Sequence, residues 1–83
     1  GYLGISGEPL ADGSFVIEQK NKFCVGDKIE IMKADGRDIE ANVISITDQD
    51  GVAMESCPHP KQIITIKLDQ VPEAGDILRM KAE

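Results

Sequence analysis

Eighty-three residues, 41% of them hydrophobic and 29% charged, make one ordinary globular domain, with neither the length for a second nor the composition of a disordered chain. The net charge of −6 repels polyanions as a whole, which disfavours a free-standing nucleic-acid binder unless a local patch or a basic partner supplies the cations. Tyr2, Phe15 and Phe23 are the only aromatics, so aliphatic and β-branched side chains must fill the core.

The chain opens at Gly1-Tyr2-Leu3 already in strand-like sequence, which reads as a fragment of a longer protein. A first strand is expected over 2–6. In "SFVIEQ" Phe15 and Ile17 share one face while Val16 and Glu18 share the other, which predicts a strand over 14–19. "DKIEIMK" repeats the pattern with Ile29 and Ile31 and predicts a strand over 28–34. The segment 37–47 breaks the alternation, because Ile39, Ala41 and Val43 have one parity and Ile44 and Ile46 the other. A bulge near Val43-Ile44 would reconcile them and help a sheet to curl. Shorter strands are expected over 52–56 and 77–81. In 62–68, Ile64, Ile66 and Leu68 form an inner row against Ile63, Thr65 and Lys67.

The punctuation agrees with this reading. Asp12-Gly13, Asp35-Gly36 and Asp50-Gly51 lie between apolar runs, where Asp-Gly pairs favour tight hairpins. Two further turns, in "VGDKI" and "AGDIL", each set a Gly-Asp pair ahead of a strand start, a weak internal echo. No window carries a helical period; the best helical turn lies around Pro72 to Ala74. Many short strands in a small chain favour a closed form with few unpaired edges. The expected fold is therefore all-β: a small antiparallel β-barrel of about six or seven short strands.

Catalytic and metal chemistry find little support. "CPHP" offers Cys57 and His59, but zinc needs three or four ligands, and Cys24 has no companion nearby. The prolines make this stretch a rigid connector instead. The same prolines make His59 a poor mobile base for a nucleophilic cysteine. "TDQDGVAME" is half a calcium loop at best and is better read as a hairpin turn. No catalytic residue, metal or cofactor is assigned. Two cysteines read as free buried thiols in a reducing compartment, although a single bridge stays open on the sequence. With no signal peptide and no membrane-length apolar run, a cytoplasmic location and no membrane partner are expected. The most interesting polar run is "EQKNKF": Lys20, Asn21 and Lys22 beside Phe23 could grip a backbone and stack on a base. The stronger reading makes the lysines edge protection and turns Phe23 inward.

The run "VIEQKNKFCVGDKIEIM", then "ITDQDGVAMESCPHPKQIITIKL", then "AGDILRM", resembles the C-terminal domain of the collagenase-like peptidases, family 32 of the peptidases of unknown catalytic type. The likeness rests on Glu18, Gln19, Asn21 to Phe23, Val25 to Asp27, Ile29 and Glu30; then on Asp48, Asp50, Gly51, Pro58 to Pro60, Gln62, Ile66 and Lys67; and finally on Asp76, Leu78 and Arg79. Cys24 and Cys57 stand where the family pattern leads one to expect small residues, which favours packing roles. The resemblance implies a small barrel similar to the second domain of elongation factor Tu, appended behind a large catalytic barrel whose motifs are absent from these residues. It also implies a parent of peptidase family name, some of whose relatives help to hydroxylate bases of transfer or ribosomal RNA.

Three functions follow. The first is a non-catalytic C-terminal accessory domain that docks on the parent's catalytic domain and supports substrate binding. The second is an RNA-binding module, and the third an exosite that captures peptide or collagen along a strand edge. The candidate contact surface is Lys20, Asn21, Lys22, Phe23, His59, Lys61 and Gln62.

Overall fold

The structure, a computed structural model, describes residues 1–56, 59 and 61–81. Seven strands form: β1 (Tyr2–Ile5), β2 (Phe15–Glu18), β3 (Lys28–Met32), β4 (Asp38–Thr47), β5 (Ala53–Met54), β6 (Ile63–Leu68) and β7 (Ile77–Met80). No helix occurs among the described residues, and the expected helical turn near Pro72 is a simple turn at Ala74-Gly75. The strands run antiparallel in the order β1-β7-β3-β4-β6-β2, with β5 paired to the far half of β4.

The ends of that series meet. Lys20 N–H donates to the Leu3 carbonyl and Gly7 N–H to the Val16 carbonyl, both at 2.9 Å, so β1 and β2 approach antiparallel and nearly close the sheet into a barrel. Glycine makes this seam possible. A Cβ on Gly4 would lie 2.9 Å from the Glu18 carbonyl oxygen, and one on Gly7 at 2.9 Å from that of Val16. Strand edges that would otherwise stand open are thereby used up.

Period-two patterning fills the interior as the sequence implies. Phe15 and Ile17, Ile29 and Ile31, and Ile64 and Ile66 are all buried, and Phe23 caps the core at one end with 1% exposure. Each fully buried side chain of this size contributes about 1.5–3 kcal/mol relative to leaving it in water. The parity break in β4 is a bulge. Val43 pairs with Leu68 and Ser45 with Lys67, leaving Ile44 as the extra residue between them. Ile44 turns outward at 51% exposure, against the expectation that it shares a buried row with Ile46.

The Asp-Gly corners all turn: Gly13, Gly36 and Gly51 N–H donate to the carbonyls of Leu10, Lys33 and Asp48. The echo between "VGDKI" and "AGDIL" is structural as well. Asp27 accepts from Cys24 N–H at 2.8 Å, and Asp76 accepts from Glu73 N–H at 2.9 Å, so each aspartate ties off the turn that feeds β3 or β7. Asp76 also pairs with the Lys33 ammonium, which Glu73 contacts at 2.8 Å; both Lys33 and Asp76 side chains are less than a tenth exposed.

Candidate functional site: a lysine-bearing end of the barrel

Because β1, β3 and β6 run away from one end and β2, β4 and β7 run back to it, the segments 19–27 and 48–62 share that end. Backbone bonds bind them together. Gln19 N–H donates to the Gln62 carbonyl and Lys61 N–H donates to the Gln19 carbonyl, both at 2.8 Å; Val25 N–H reaches the Glu55 carbonyl, and Cys24 bridges Ser56. The candidates Lys20, Asn21, Lys22, Lys61 and Gln62, separate in sequence, thus lie at the same end of the barrel, with His59 exposed in the same connection.

Their environments differ. Lys20 pairs with Glu18 at 2.7 Å. That hydrogen bond is the main cause holding the Glu18 carboxyl below its usual range, with attraction from Lys20 and, more weakly, Lys61 adding to it. Lys22 and Lys61 are exposed and form no salt bridge among the described residues. Lys61 is also the one non-glycine residue with positive φ among them, at 62°. The hydrogen bond to Gln19 holds the backbone there, and the side chain projects from a tight left-handed corner. Asn21 anchors the neighbouring strand, its side-chain amide donating to the Tyr2 carbonyl.

Two expected contacts prove to be supports. Phe23 is buried to 1% exposure, so it cannot offer a ring to a partner without leaving the core. Gln62 is half-buried; its Oε1 is sealed from solvent without a hydrogen bond and its Nε2 lies 3.9 Å from the Met54 sulfur. Beneath them Gln19, 1% exposed, donates from its side chain to the Asn21 carbonyl at 3.2 Å and braces the 19–23 turn. Sequence reading gave Gln19 no role at this end, since nothing local marks a glutamine as buried. Cys24 is a free, half-buried thiol, while Cys57, Pro58 and Pro60 of the proposed connector lie outside the described residues. No group of three or more metal-ligating side chains occurs among the described residues.

The opposite end is the more acidic of the two, because Lys20, Lys22 and Lys61 nearly offset Asp27, Asp48, Asp50 and Glu55 in segments 19–27 and 48–62. Glu8, Asp12, Asp35, Asp69, Glu73 and Asp76 lie in its loops, against Lys33 and Arg37. The net charge of −6 is therefore unevenly spread, and the lysine end is the less acidic one, with Lys22 and Lys61 as cations outside any salt bridge among the described residues.

The chain is thus a small antiparallel barrel, nearly closed at a glycine seam, that carries lysines around a braced turn. Residues 2–79 match the family described as "Peptidase family U32 C-terminal domain", and the chain belongs to that family. Among curated proteins it is similar to tRNA hydroxylation protein P1 of Bacillus subtilis, with 29% identity over 63 residues. Those residues are 76% of this chain and only 15% of that protein. Among solved structures it is similar to the C-terminal domain of a Geobacillus thermoleovorans protein assigned to the U32 peptidases. The TM-score is 0.84 at 22% identity, over 98% of this chain and 92% of that one. A selenomethionine form of the same domain gives 0.81 at 22% identity, over 95% and 98%.

Proposed function

We propose that this domain is the non-catalytic accessory module of a U32-family protein and that its lysine end grips structured RNA, presenting it to the catalytic part of the parent. The observation that carries this reading is that Lys22 and Lys61, neither in a salt bridge among the described residues, share with Lys20 and His59 the less acidic end of the barrel, beside Asp27, Asp48, Asp50 and Glu55. The likeness to a protein named for tRNA hydroxylation supports the choice of RNA. The near-closed β1–β2 seam speaks against capture of an extended peptide along a strand edge. The rest of the parent would dock elsewhere. The outer row in which Ile5 pairs with Ile77, and Ile77 with Met32, is an apolar face at the end opposite Lys20, Lys22 and Lys61.

Deleting the domain from the full-length protein, then assaying tRNA hydroxylation and peptide cleavage side by side, tests the proposal. Loss of tRNA hydroxylation together with tRNA affinity is expected. Loss of peptide cleavage alone would overturn it.

A further inference from the structure

The lysine end has an aromatic neighbour. Tyr2 is the chain's single tyrosine, tryptophan is absent, and Phe15 and Phe23 are buried at 0% and 1% exposure. Tyr2, at 42% exposure, is thus the one phenyl or phenol ring open to solvent, with the exposed imidazole of His59 at the same end. The strand itself sends it outward. The register of β1 on β7 shifts between Tyr2 and Gly4, Leu3 enters the core at 0% exposure, and Tyr2 stays on the outer face opposite Arg79. The Arg79 guanidinium is committed along its own row, to Glu30 at 3.1 Å and Asp38 at 3.3 Å.

Two hydrogen bonds fix Tyr2 against the basic turn. The Asn21 side chain donates to the Tyr2 carbonyl, and Lys20 N–H donates to the carbonyl of the next residue, Leu3, at 2.9 Å. The Lys20 ammonium is held above its ordinary value chiefly by its hydrogen bond to Glu18, with a weaker contribution from the Tyr2 phenol, in keeping with the backbone bond that brings Lys20 beside the start of the first strand. An exposed aromatic face flanked by lysines is the pairing that single-stranded nucleic acid selects, because every base has a face to stack and phosphates follow on either side.

We infer that Tyr2 is a base-stacking residue and that, with Lys20 and Lys22, it forms a site for an unpaired nucleotide of RNA. The ring takes the base, and the ammonium groups take the neighbouring phosphates. This rests on the RNA reading of the lysine end and narrows it, since a fully paired stem exposes phosphates but no base face. Asn21 is a positioning residue here, holding the strand that carries the ring.

The test uses the 83-residue domain with three RNAs of matched length: a hairpin with an unpaired loop, its unstructured single strand, and a blunt duplex. Affinity is read from anisotropy of labelled RNA, and stacking from the ring signals of the sole tyrosine by NMR. The hairpin and the single strand should shift the tyrosine ring signals upfield, and the duplex should leave them in place. Tyr2→Ala should weaken single-strand binding by about 5- to 100-fold, while Tyr2→Phe retains it and neither changes the salt dependence. An unmoved ring, or Tyr2→Ala binding as tightly as wild type, would overturn the inference and leave the RNA reading standing. Should the wild-type domain bind none of the three RNAs, both fail together. An amide spectrum of Tyr2→Ala guards against a folding defect, and the wild-type ring signals decide the matter without any variant.

Discussion

At residue scale the most informative position is Lys61. Its φ of 62° is one that L side chains other than Asn and Asp seldom adopt, and nothing in "HPKQ" announces it. The cause is tertiary, because its N–H must reach the Gln19 carbonyl. Lys61→Gly should therefore keep the fold and stabilise it by up to about 1 kcal/mol in urea unfolding, the left-handed cost removed exceeding the chain entropy added. The same variant should bind RNA more weakly, which separates the shape of the corner from the charge it carries. Phe23 makes the opposite case. Its inward packing follows from the sequence, where an aromatic ahead of a Gly-Asp turn suits a barrel end. Phe23→Ala should cost about 3–5 kcal/mol, seen as a lowered urea midpoint, while Phe23→Leu should retain RNA affinity. Sequence reading gives Tyr2 no role, since its outward turn depends on the register shift of β1 against β7.

At the scale of elements, β2, β3 and β6 are legible because each buries one face and so obeys period two, and the turns because Asp-Gly and Gly-Asp pairs have local chemistry. The β4 bulge is also visible in the sequence, as a parity that fails at Val43-Ile44, though which side chain leaves the core is not; pairing with Leu68 and Lys67 decides that. The union of segments 19–27 and 48–62 is invisible beforehand, being a set of backbone bonds, such as Gln19 to Gln62, between residues far apart in sequence. The glycine seam is the element-scale weak point. Gly4→Ala would set a Cβ 2.9 Å from the Glu18 carbonyl at a φ of +149°, so it should destabilise by about 1–3 kcal/mol, measured by thermal or urea unfolding. Ala at Ile44, already outside, should cost far less.

At the scale of the whole molecule, charge is arranged by carboxylates held in their ionised form. Asp69 lies below its ordinary range, first through the Asn42 side-chain amide and then through the Asn42 backbone N–H. Asp12 is lowered by the Ser14 hydroxyl and backbone, and Glu40 by hydrogen bonds from Lys81 and then Lys28. A carboxylate depressed in the folded state adds stability that is present above its unfolded value and lost as pH falls through the folded one. Stability should accordingly be level near neutrality and decline as pH drops below the ordinary carboxylate range of about 4. Asp69→Asn should flatten part of that decline in acid titrations followed by circular dichroism. The lysines raised by their partners, Lys20 and Lys81 among them, act in the other direction and lose their contribution only above their ordinary alkaline value.

The most direct measurement is the affinity of this domain for tRNA across a salt series, for wild type and for Lys22→Glu/Lys61→Glu. The lysine-end account predicts a log–log slope of about −2 for wild type, from three ammonium groups meeting single-stranded phosphates, with binding lost in the double variant. Affinity that ignores salt, or that survives reversal of both charges, would contradict it.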